Sequence, residues 1–305
     1  MARLGRRGPY VTRMGLGGAP YAASDVSPAA AEAAIHRALE RGIAFFDTAP
    51  LYGSGESERR LGTALRGVPR ERYVVCTKVG RLLRPGPVFD FSADGARRSL
   101  EESLTRLGLD RVDVLLIHDP DEHADEALAG AYPAIERLRG EGVVSAIGSG
   151  MNQTAMLARF ARETDMDCFL VAGRYSLLDH ETAWPELLPL CVEKGIGIII
   201  GGVFNSGILL GPAPGAPFNY APAAEEWLER ARRIDAICRA HDVPLPAAAL
   251  QFPLAHPAVS VVLTGVRSAA EVEQNAARMA HPGPAALWRD LRAAGLIAAA
   301  VPAPA

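Results

Sequence analysis

Several features that would narrow the class of this protein at once are missing from its sequence. The four cysteines are spread over 305 residues without a CxxC pair or a Cys/His spacing typical of metal ligands. They are Cys76, Cys168, Cys191 and Cys238. We therefore expect no metal site and four structural thiols, as is typical of a protein in a reducing compartment.

Long apolar runs and an excess of positive charge are missing as well. No stretch reaches the ~18 apolar residues that a membrane-spanning helix needs, so no membrane contact is expected. The formal net charge of −3 argues against nucleic acid as a partner. Because the basic opening MARLGRRGPY is not followed by an apolar run, we expect no signal peptide and a cytoplasmic location.

The sequence does contain a regular succession of short apolar runs. They are apolar throughout rather than alternating, which is typical of parallel strands covered on both faces. The predicted strands lie at 14–18, 44–48, 73–79, 112–118, 143–149, 168–173, 195–202 and 260–266. Amphipathic helical patterns follow them between Ser27 and Gly42, at 56–66, from Ser92 to Leu107, and at 124–139, 153–163, 182–192, 223–240 and 268–280.

Eight strands that each precede a helix predict a single-domain (β/α)8 TIM barrel over residues 1–305. The alternative, a doubly wound open sheet, needs a GxGxxG after its first strand, and GLGGAP does not provide one. The interval before the last strand is longer than the others and contains the Gly- and Pro-rich segment 205–223. Loops of this length are usually functional or disordered.

Titratable residues occur where three neighbouring strands of this barrel end, and the carboxyl ends of barrel strands carry the chemistry. The second strand ends at Asp47 with Tyr52 just beyond, the third holds Lys78, and the fourth ends in His118. Each residue alone has a structural explanation, as a turn cap, a solvated cation or a satisfied hydrogen-bond partner. Their convergence on one rim favours a catalytic site.

These four residue types together predict proton transfer by the tyrosine. A phenol ordinarily titrates near ~10, and a nearby lysine cation favours the phenolate and lowers that pKa. A carboxylate keeps the lysine charged, and a histidine can hydrogen-bond the substrate oxygen and help to move the proton. Since no activated Ser or Cys accompanies the set, it predicts carbonyl reduction or alcohol oxidation with a cofactor that carries hydride.

The segments that hold these residues resemble those of the aldo-keto reductase family. FFDTAPLYGSGESERRLGTAL resembles the family signature around its catalytic Asp and Tyr, TKVG the segment with its Lys, and SLTRLGLDRVDVLLIHDPD the segment that ends in its His. The resemblance runs from RMGLGG to VRSAAEVEQNAA, which is nearly the whole chain. It implies that Asp47, Tyr52, Lys78 and His118 form the catalytic tetrad.

The resemblance also implies a nicotinamide cofactor, NAD or NADP, that lies over the barrel mouth. The residues it assigns to the cofactor are Ser149 and Asn152 at the nicotinamide, Phe204, Ser206, Gly207 and Leu209 in the pyrophosphate-binding loop, and Gly265, Arg267, Glu271 and Asn275 at the adenosine end. The carboxylate of Glu271 favours NAD, whereas Arg267 could bind a 2′-phosphate, and NAD is the expected preference. The segment 205–223 could fold across the cofactor as a strap. The glutamine that the family has after its sixth strand is replaced within VAGRY.

Within the family, the chain resembles the branch that oxidises the C1 hydroxyl of aldoses such as L-fucose, L-galactose or D-arabinose to the lactone. The residues expected at such a substrate are Asp119 and Tyr21, with Trp184 as a further candidate for the pocket wall. Two alternatives stay open: a pyridoxal 4-dehydrogenase or general aldehyde reductase, and a non-catalytic cofactor-binding subunit. We expect a monomer or a weak homo-oligomer.

Overall fold

Eight parallel strands form a closed barrel in the computed structural model, which describes residues 1–82 and 88–305. The strands are β1 Met14–Gly17, β2 Phe45–Asp47, β3 Val74–Val79, β4 Val114–His118, β5 Ala146–Met151, β6 Cys168–Ala172, β7 Gly197–Gly201 and β8 Val259–Gly265. Each strand pairs with the next one along the chain, and β8 pairs with β1. This order confirms the predicted (β/α)8 barrel.

Helices alternate with these strands. They are α1 Pro28–Glu40, α2 Glu56–Leu65, α3 Ala93–Leu107, α4 Tyr132–Gly140, α5 Thr154–Glu163, α6 Leu187–Lys194, α7 Glu225–Ala240, α8 Leu245–Gln251, α9 Ala269–Ala280 and α10 Ala285–Ala293. A helical turn and a π-helical stretch, Ala124–Glu126 and Ala127–Ala131, precede α4. The hydroxyls of Ser27, Ser92 and Ser268 each accept the N–H three residues further on, so serine caps define three of the starts.

Two helices and one helix start differ from the sequence prediction. The helix α8 is not predicted because five of its seven residues are buried, so no polar face marks it. The helix α10 is not predicted either, since it follows a segment with glycine and two prolines. The helix predicted at 182–192 begins only at Leu187, because Pro185 disfavours helical backbone at the residue before it.

Two apolar layers lie on the two sides of the barrel wall. Successive strand residues point alternately to the barrel interior and to the helices, so Phe45 lies inside and Phe46 outside. The four free cysteines are all buried, with Cys76 and Cys168 inside the barrel and Cys191 in the outer layer. Every second residue of a strand therefore points into the barrel interior.

A hairpin of Ala2–Arg3 with Tyr10–Val11 closes the amino-terminal end of the barrel. Its Leu4 and Val11 belong to the interior cluster, and the backbone N–H of Arg6 binds the carbonyl of Gly195, just before β7. The opposite end of the barrel forms the mouth. In the described parts of the chain, no helix could span a membrane and no three metal-binding side chains converge.

The barrel closes between its last and first strands. Val262 of β8 pairs with Met14 of β1. Just before β1, the Arg13 guanidinium donates to the carbonyls of Leu254, Val259 and Ser260, at 2.8, 2.6 and 3.0 Å. The closure thus depends on residues about 245 positions apart in sequence.

Candidate active site

Three side chains of the predicted tetrad point into the mouth because side chains on a strand alternate with a period of two residues. Asp47, Lys78 and His118 each lie two positions after a residue of the interior cluster, as His118 does after Leu116. All three therefore point into the barrel at its carboxyl end. Their exposed fractions are 2%, 1% and 6%.

Lys78 and Asp47 form a buried ion pair. The Lys78 ammonium donates to both carboxylate oxygens of Asp47, at 2.7 and 2.9 Å, and to the carbonyl of Thr48 at 2.9 Å. Burial alone would lower the pKa of Lys78, but the charge of Asp47, with a contribution from Tyr52, raises that pKa above its ordinary value. Lys78 is therefore an ammonium ion throughout the working pH range.

Tyr52 lies above this ion pair. The Lys78 Nζ is 4.8 Å from the centroid of the Tyr52 ring, and the ring stands at right angles to the His118 imidazole with centroids 5.8 Å apart. Burial raises the pKa of Tyr52 to about 12, although Lys78 opposes the rise. The expectation of a phenol pKa below its ordinary value is thus wrong for this structure. At neutral pH, Tyr52 carries its proton.

The backbone conformation of the loop after Tyr52 explains why the loop contains glycines. Gly53, Ser54 and Gly55 all have positive φ, at 58°, 52° and 84°. A Cβ on Gly53 would lie 2.7 Å from the carbonyl oxygen of Ala22, which excludes other residues there. This turn brings the chain back into α2 and leaves Tyr52 facing the mouth.

His118 is neutral in this setting. Burial, followed by the charges of Lys78 and Arg81, holds the pKa of His118 well below its ordinary value. Its Nε2 lies 3.7 Å from the Asp119 Oδ2, beyond hydrogen-bond distance. Its buried Nδ1 has no partner in the described part of the protein. A neutral imidazole can donate one hydrogen bond to a substrate oxygen.

A second buried ion pair, absent from the sequence prediction, supports Lys78 from behind. Glu58 of α2 is fully buried, and its carboxylate accepts from the Thr77 hydroxyl at 2.7 Å and from Arg106 Nε of α3 at 2.6 Å. Thr77 directly precedes Lys78 in β3. Glu58 therefore ties two helices to the strand that positions the lysine.

The loop after β7, residues 202–210, is the expected site of the cofactor pyrophosphate. Asn205, Ser206 and Gly207 have consecutive positive φ of 46°, 62° and 124°. Two of their N–H groups are used within the loop, since Asn205 donates to the Gly202 carbonyl at 2.8 Å and Gly207 donates to the Phe204 carbonyl at 3.0 Å. Binding of the pyrophosphate by this loop therefore stays a prediction. The Asn205 amide donates to the Gly173 carbonyl at 3.1 Å and accepts from the hydroxyl of Ser176, which fixes the loop. Asn205 was not predicted, although asparagine tolerates positive φ.

Of the other residues assigned to this loop, Phe204 is half-buried and Leu209 is fully buried in the outer core. The N–H of Leu209 donates to the Phe204 carbonyl at 3.2 Å, so this residue presents no free surface to a cofactor in the structure. Ser206 is exposed, and its hydroxyl accepts the backbone N–H of Tyr220 at 3.0 Å. The loop is thus bonded to the later part of residues 205–223, the segment predicted as a strap.

That segment forms a short hairpin, Pro217–Phe218 with Ala221–Pro222, at the mouth. Arg174, which follows β6 within VAGRY, donates to the Asn219 side chain at 2.6 Å. Arg174 thus anchors the hairpin and has a structural role that its position in the sequence does not reveal. Asn219 and Tyr220 both have positive φ, at 50° and 63°, in the turn of the hairpin.

The residues assigned to the adenosine end lie around the start of α9. The Glu271 carboxylate accepts the backbone N–H of Arg267 at 2.8 Å, and the Arg267 guanidinium pairs with Asp25 at 2.6 Å. Asn275 is buried and accepts from Arg278 at 2.9 Å, whereas Gly265 is exposed at the end of β8. Glu271 therefore caps the helix, and Asp25 already neutralises Arg267.

Ser149 and Asn152, the two residues assigned to the nicotinamide, lie in different surroundings in the structure. The Ser149 side chain is fully buried in the wall, and its hydroxyl donates to the Ile117 carbonyl at 3.0 Å. Asn152 instead lines an open cleft of about 510 Å³, together with Asp119. The other residues around this cleft are Arg81, Phe89, Asp121, Glu122, His123, Gln153 and Tyr220. Of this pair, only Asn152 lines the cleft.

Two residues expected at the substrate lie in packed regions. The Tyr21 side chain is fully buried in the outer core, so it presents no surface to a substrate in this structure. Trp184 packs edge-on against His256, with ring centroids 5.5 Å apart. Apolar contacts rather than a pocket account for both, and Asp119 alone of the expected substrate residues lines the cleft.

Comparison with known proteins identifies the family of this chain. The chain matches the model of the aldo/keto reductase family over residues 13–295. It is 46% identical to a D-threo-aldose 1-dehydrogenase of a Pseudomonas species, over 87% of this chain and 88% of the relative. It is 41% identical to a pyridoxal 4-dehydrogenase of Microbacterium luteolum, over 96% and 97%. An L-galactose dehydrogenase of Arabidopsis thaliana is 35% identical, over 90% and 86%.

Among solved structures, the fold is similar to the holo form of an aldo-keto reductase from Bacillus halodurans. The TM-score is 0.79 at 27% identity, and the match covers 99% of this chain and 98% of that one. The family consists of oxidoreductases that use nicotinamide cofactors. Since the family model matches most of the sequence, the chain belongs to the aldo/keto reductase family.

Proposed function

We propose that the enzyme oxidises the C1 hydroxyl of an aldose of the L-fucose, L-galactose or D-arabinose type to the lactone, with NAD as preferred cofactor. The observation that carries this proposal is the juxtaposition of Tyr52, the Lys78–Asp47 pair and neutral His118. His118 lies 3.7 Å from Asp119, which lines a cleft with mostly polar walls. Relatives named as aldose and L-galactose dehydrogenases support the substrate class.

The chain's own residues can perform the proton transfer of this reaction. His118 Nε2 donates a hydrogen bond to the reacting oxygen and orients the C1 hydroxyl toward Tyr52. The phenolate form of Tyr52 accepts the hydroxyl proton, and the Lys78 ammonium, whose Nζ lies 4.8 Å from the centroid of the Tyr52 ring, stabilises that phenolate. Asp47 keeps Lys78 in place. A bound nicotinamide supplies the hydride acceptor. In the reverse direction, the neutral phenol donates its proton to the carbonyl oxygen.

A substrate panel tests the activity. We expect turnover of L-fucose, L-galactose or D-arabinose with NAD, measured as absorbance of the reduced nicotinamide. Pyridoxal is the second candidate, supported by the relative named as a pyridoxal 4-dehydrogenase. Turnover of pyridoxal alone would replace the aldose proposal, and no turnover of any would favour a non-catalytic role.

The cofactor preference rests on two carboxylates at the start of α9. Asp25 neutralises Arg267, and Glu271 adds a second negative charge, so a 2′-phosphate meets repulsion rather than a free guanidinium. We expect kcat/KM to be at least about tenfold higher with NAD than with NADP.

Variants of the two carboxylates test this electrostatic explanation. Combining Asp25→Asn with Glu271→Gln should shift the preference about tenfold toward NADP, because it frees Arg267 and retains a side-chain acceptor for the cap. Glu225→Gln, at an exposed ion pair with Arg232, serves as the matched control. A wild-type preference for NADP, or an unchanged ratio in the double variant, would contradict the assignment.

A further inference from the structure

An ion pair that the tetrad does not use lies at the inner edge of the cleft. Arg81 Nη1 donates to Asp119 Oδ2 at 2.5 Å, and the same oxygen lies 3.7 Å from His118 Nε2. Arg81 follows Lys78 by three residues, and Asp119 directly follows His118. The pair therefore sits next to the atom that orients the reacting oxygen.

Both members of this pair are held in place by their surroundings. The Arg81 guanidinium lies over the Phe89 ring, 5.2 Å from its centroid, and that ring packs on His123 with centroids 5.1 Å apart. The backbone of Asp119 has φ of 44°, and its N–H donates to the Gly150 carbonyl at 3.0 Å. Strained backbone of this kind persists where the surrounding structure determines it, often at a functional site.

One carboxylate oxygen of Asp119 is left for a ligand. Arg81 and His118 both approach Oδ2, whereas Oδ1 has no hydrogen-bond donor among residues 1–82 and 88–305. The Asp119 side chain is one-third exposed, and it faces the open cleft. A carboxylate can accept more than one hydrogen bond on each oxygen, so a substrate hydroxyl has an acceptor here.

We propose that Arg81 and Asp119 form a hydroxyl-recognition pair that selects substrates with a hydroxyl on the carbon next to the reacting carbon. Asp119 accepts a hydrogen bond from that hydroxyl, and Arg81 is the positioning residue that fixes the carboxylate beside His118. His118 Nε2 lies 3.7 Å from Oδ2 of this carboxylate, so the two residues are close enough for oxygens on adjacent carbons to bond one to each of them. The inference deepens the proposed aldose activity, since an aldose carries such a hydroxyl at C2.

The test compares 2-hydroxypropanal with propanal as substrates for reduction, in the wild type and in Arg81→Met, Arg81→Lys and Asp119→Asn. The measured quantity is the kcat/KM for 2-hydroxypropanal divided by the kcat/KM for propanal, determined for each protein. A hydrogen bond to a charged group corresponds to about 10- to 100-fold in this ratio. Asp119→Asn and Arg81→Met should each lower the wild-type ratio about tenfold. Arg81→Lys should recover part of it, because lysine keeps the charge without the planar fork.

Arg159→Met is the matched control, since it breaks an exposed Arg–Asp pair with Asp125 away from the cleft. Equal losses on both aldehydes would show a merely structural pair, and an unchanged ratio in Asp119→Asn would show that its carboxylate contacts no hydroxyl; either overturns the inference. Because both substrates are simple aldehydes, the test is independent of the aldose panel. Failure of the panel with a changed ratio would reject the aldose and retain the recognition pair.

Discussion

Tyr52→Phe should lower kcat by about 10²- to 10⁴-fold while the affinity for the nicotinamide cofactor stays nearly unchanged. The phenol is the group placed to exchange a proton with the reacting oxygen, and phenylalanine keeps the ring that packs against Lys78 and His118. Steady-state turnover and quenching of protein fluorescence by the cofactor measure the two quantities. Tyr10→Phe, at an exposed tyrosine of the amino-terminal hairpin, controls for loss of a hydroxyl.

The pH dependence of wild-type oxidation tests the same proton transfer. Burial raises the pKa of Tyr52 to about 12, so the phenol is protonated at neutral pH and the phenolate fraction grows about tenfold per pH unit below that value. The kcat/KM for oxidation should therefore rise with pH from 7 to 10, without an inflection from His118 near its ordinary pKa. Full activity of Tyr52→Phe, or a plateau below pH 9, would assign the proton to another group.

Lys78→Met should affect both turnover and folding. It leaves the carboxylate of Asp47 buried without a partner, and removal of one member of a buried ion pair typically costs about 3–5 kcal/mol of unfolding free energy. Turnover falls as well, because the pKa of Tyr52 rises further when the opposing charge of Lys78 is lost. Urea denaturation and kcat measure the two effects.

The sign of the pH effect on this variant follows from linkage. An unpaired buried Asp47 has a folded-state pKa above that of the unfolded chain, so the loss of stability grows as pH rises above the unfolded value of ~3.9. Lys78→Met should therefore be closer to wild-type stability at pH 5 than at pH 8. Adding Asp47→Leu to Lys78→Met should restore stability but not turnover. If the single variant were as stable as the wild type at pH 8, the ion pair would not be buried as described.

The eight strands follow from the sequence, and so do the directions in which three of the four side chains of the predicted tetrad point, because both depend on local periodicity. A run of apolar residues marks a strand between two layers, and the two-residue period then determines that Asp47, Lys78 and His118 face the same way. The position of Tyr52 is predicted from its sequence motif and not from strand periodicity. Three residues with positive φ follow it and determine the direction of its side chain. For these residues, local rules and the tertiary fold agree.

Contacts between distant segments did not follow from the sequence. Glu58 reads as part of the exposed face of a charged helix, yet its partner Arg106 lies 48 residues away and both are largely enclosed. The pKa of Tyr52 depends on a balance between burial and one charge, which only the packed site determines. Tyr21 is expected at the substrate but is enclosed by the outer core, because its burial likewise depends on contacts between distant segments.

The contact between Arg13 and the carbonyls at and just before the start of β8 has a consequence for biosynthesis. A ribosome releases β1 long before it makes β8, so the first strand must wait with one hydrogen-bonding edge open. Unpaired edges invite association with other chains. A nascent chain that ends after β7 should therefore require chaperone protection, and completion of the ring is expected to be a late step governed by sequence distance.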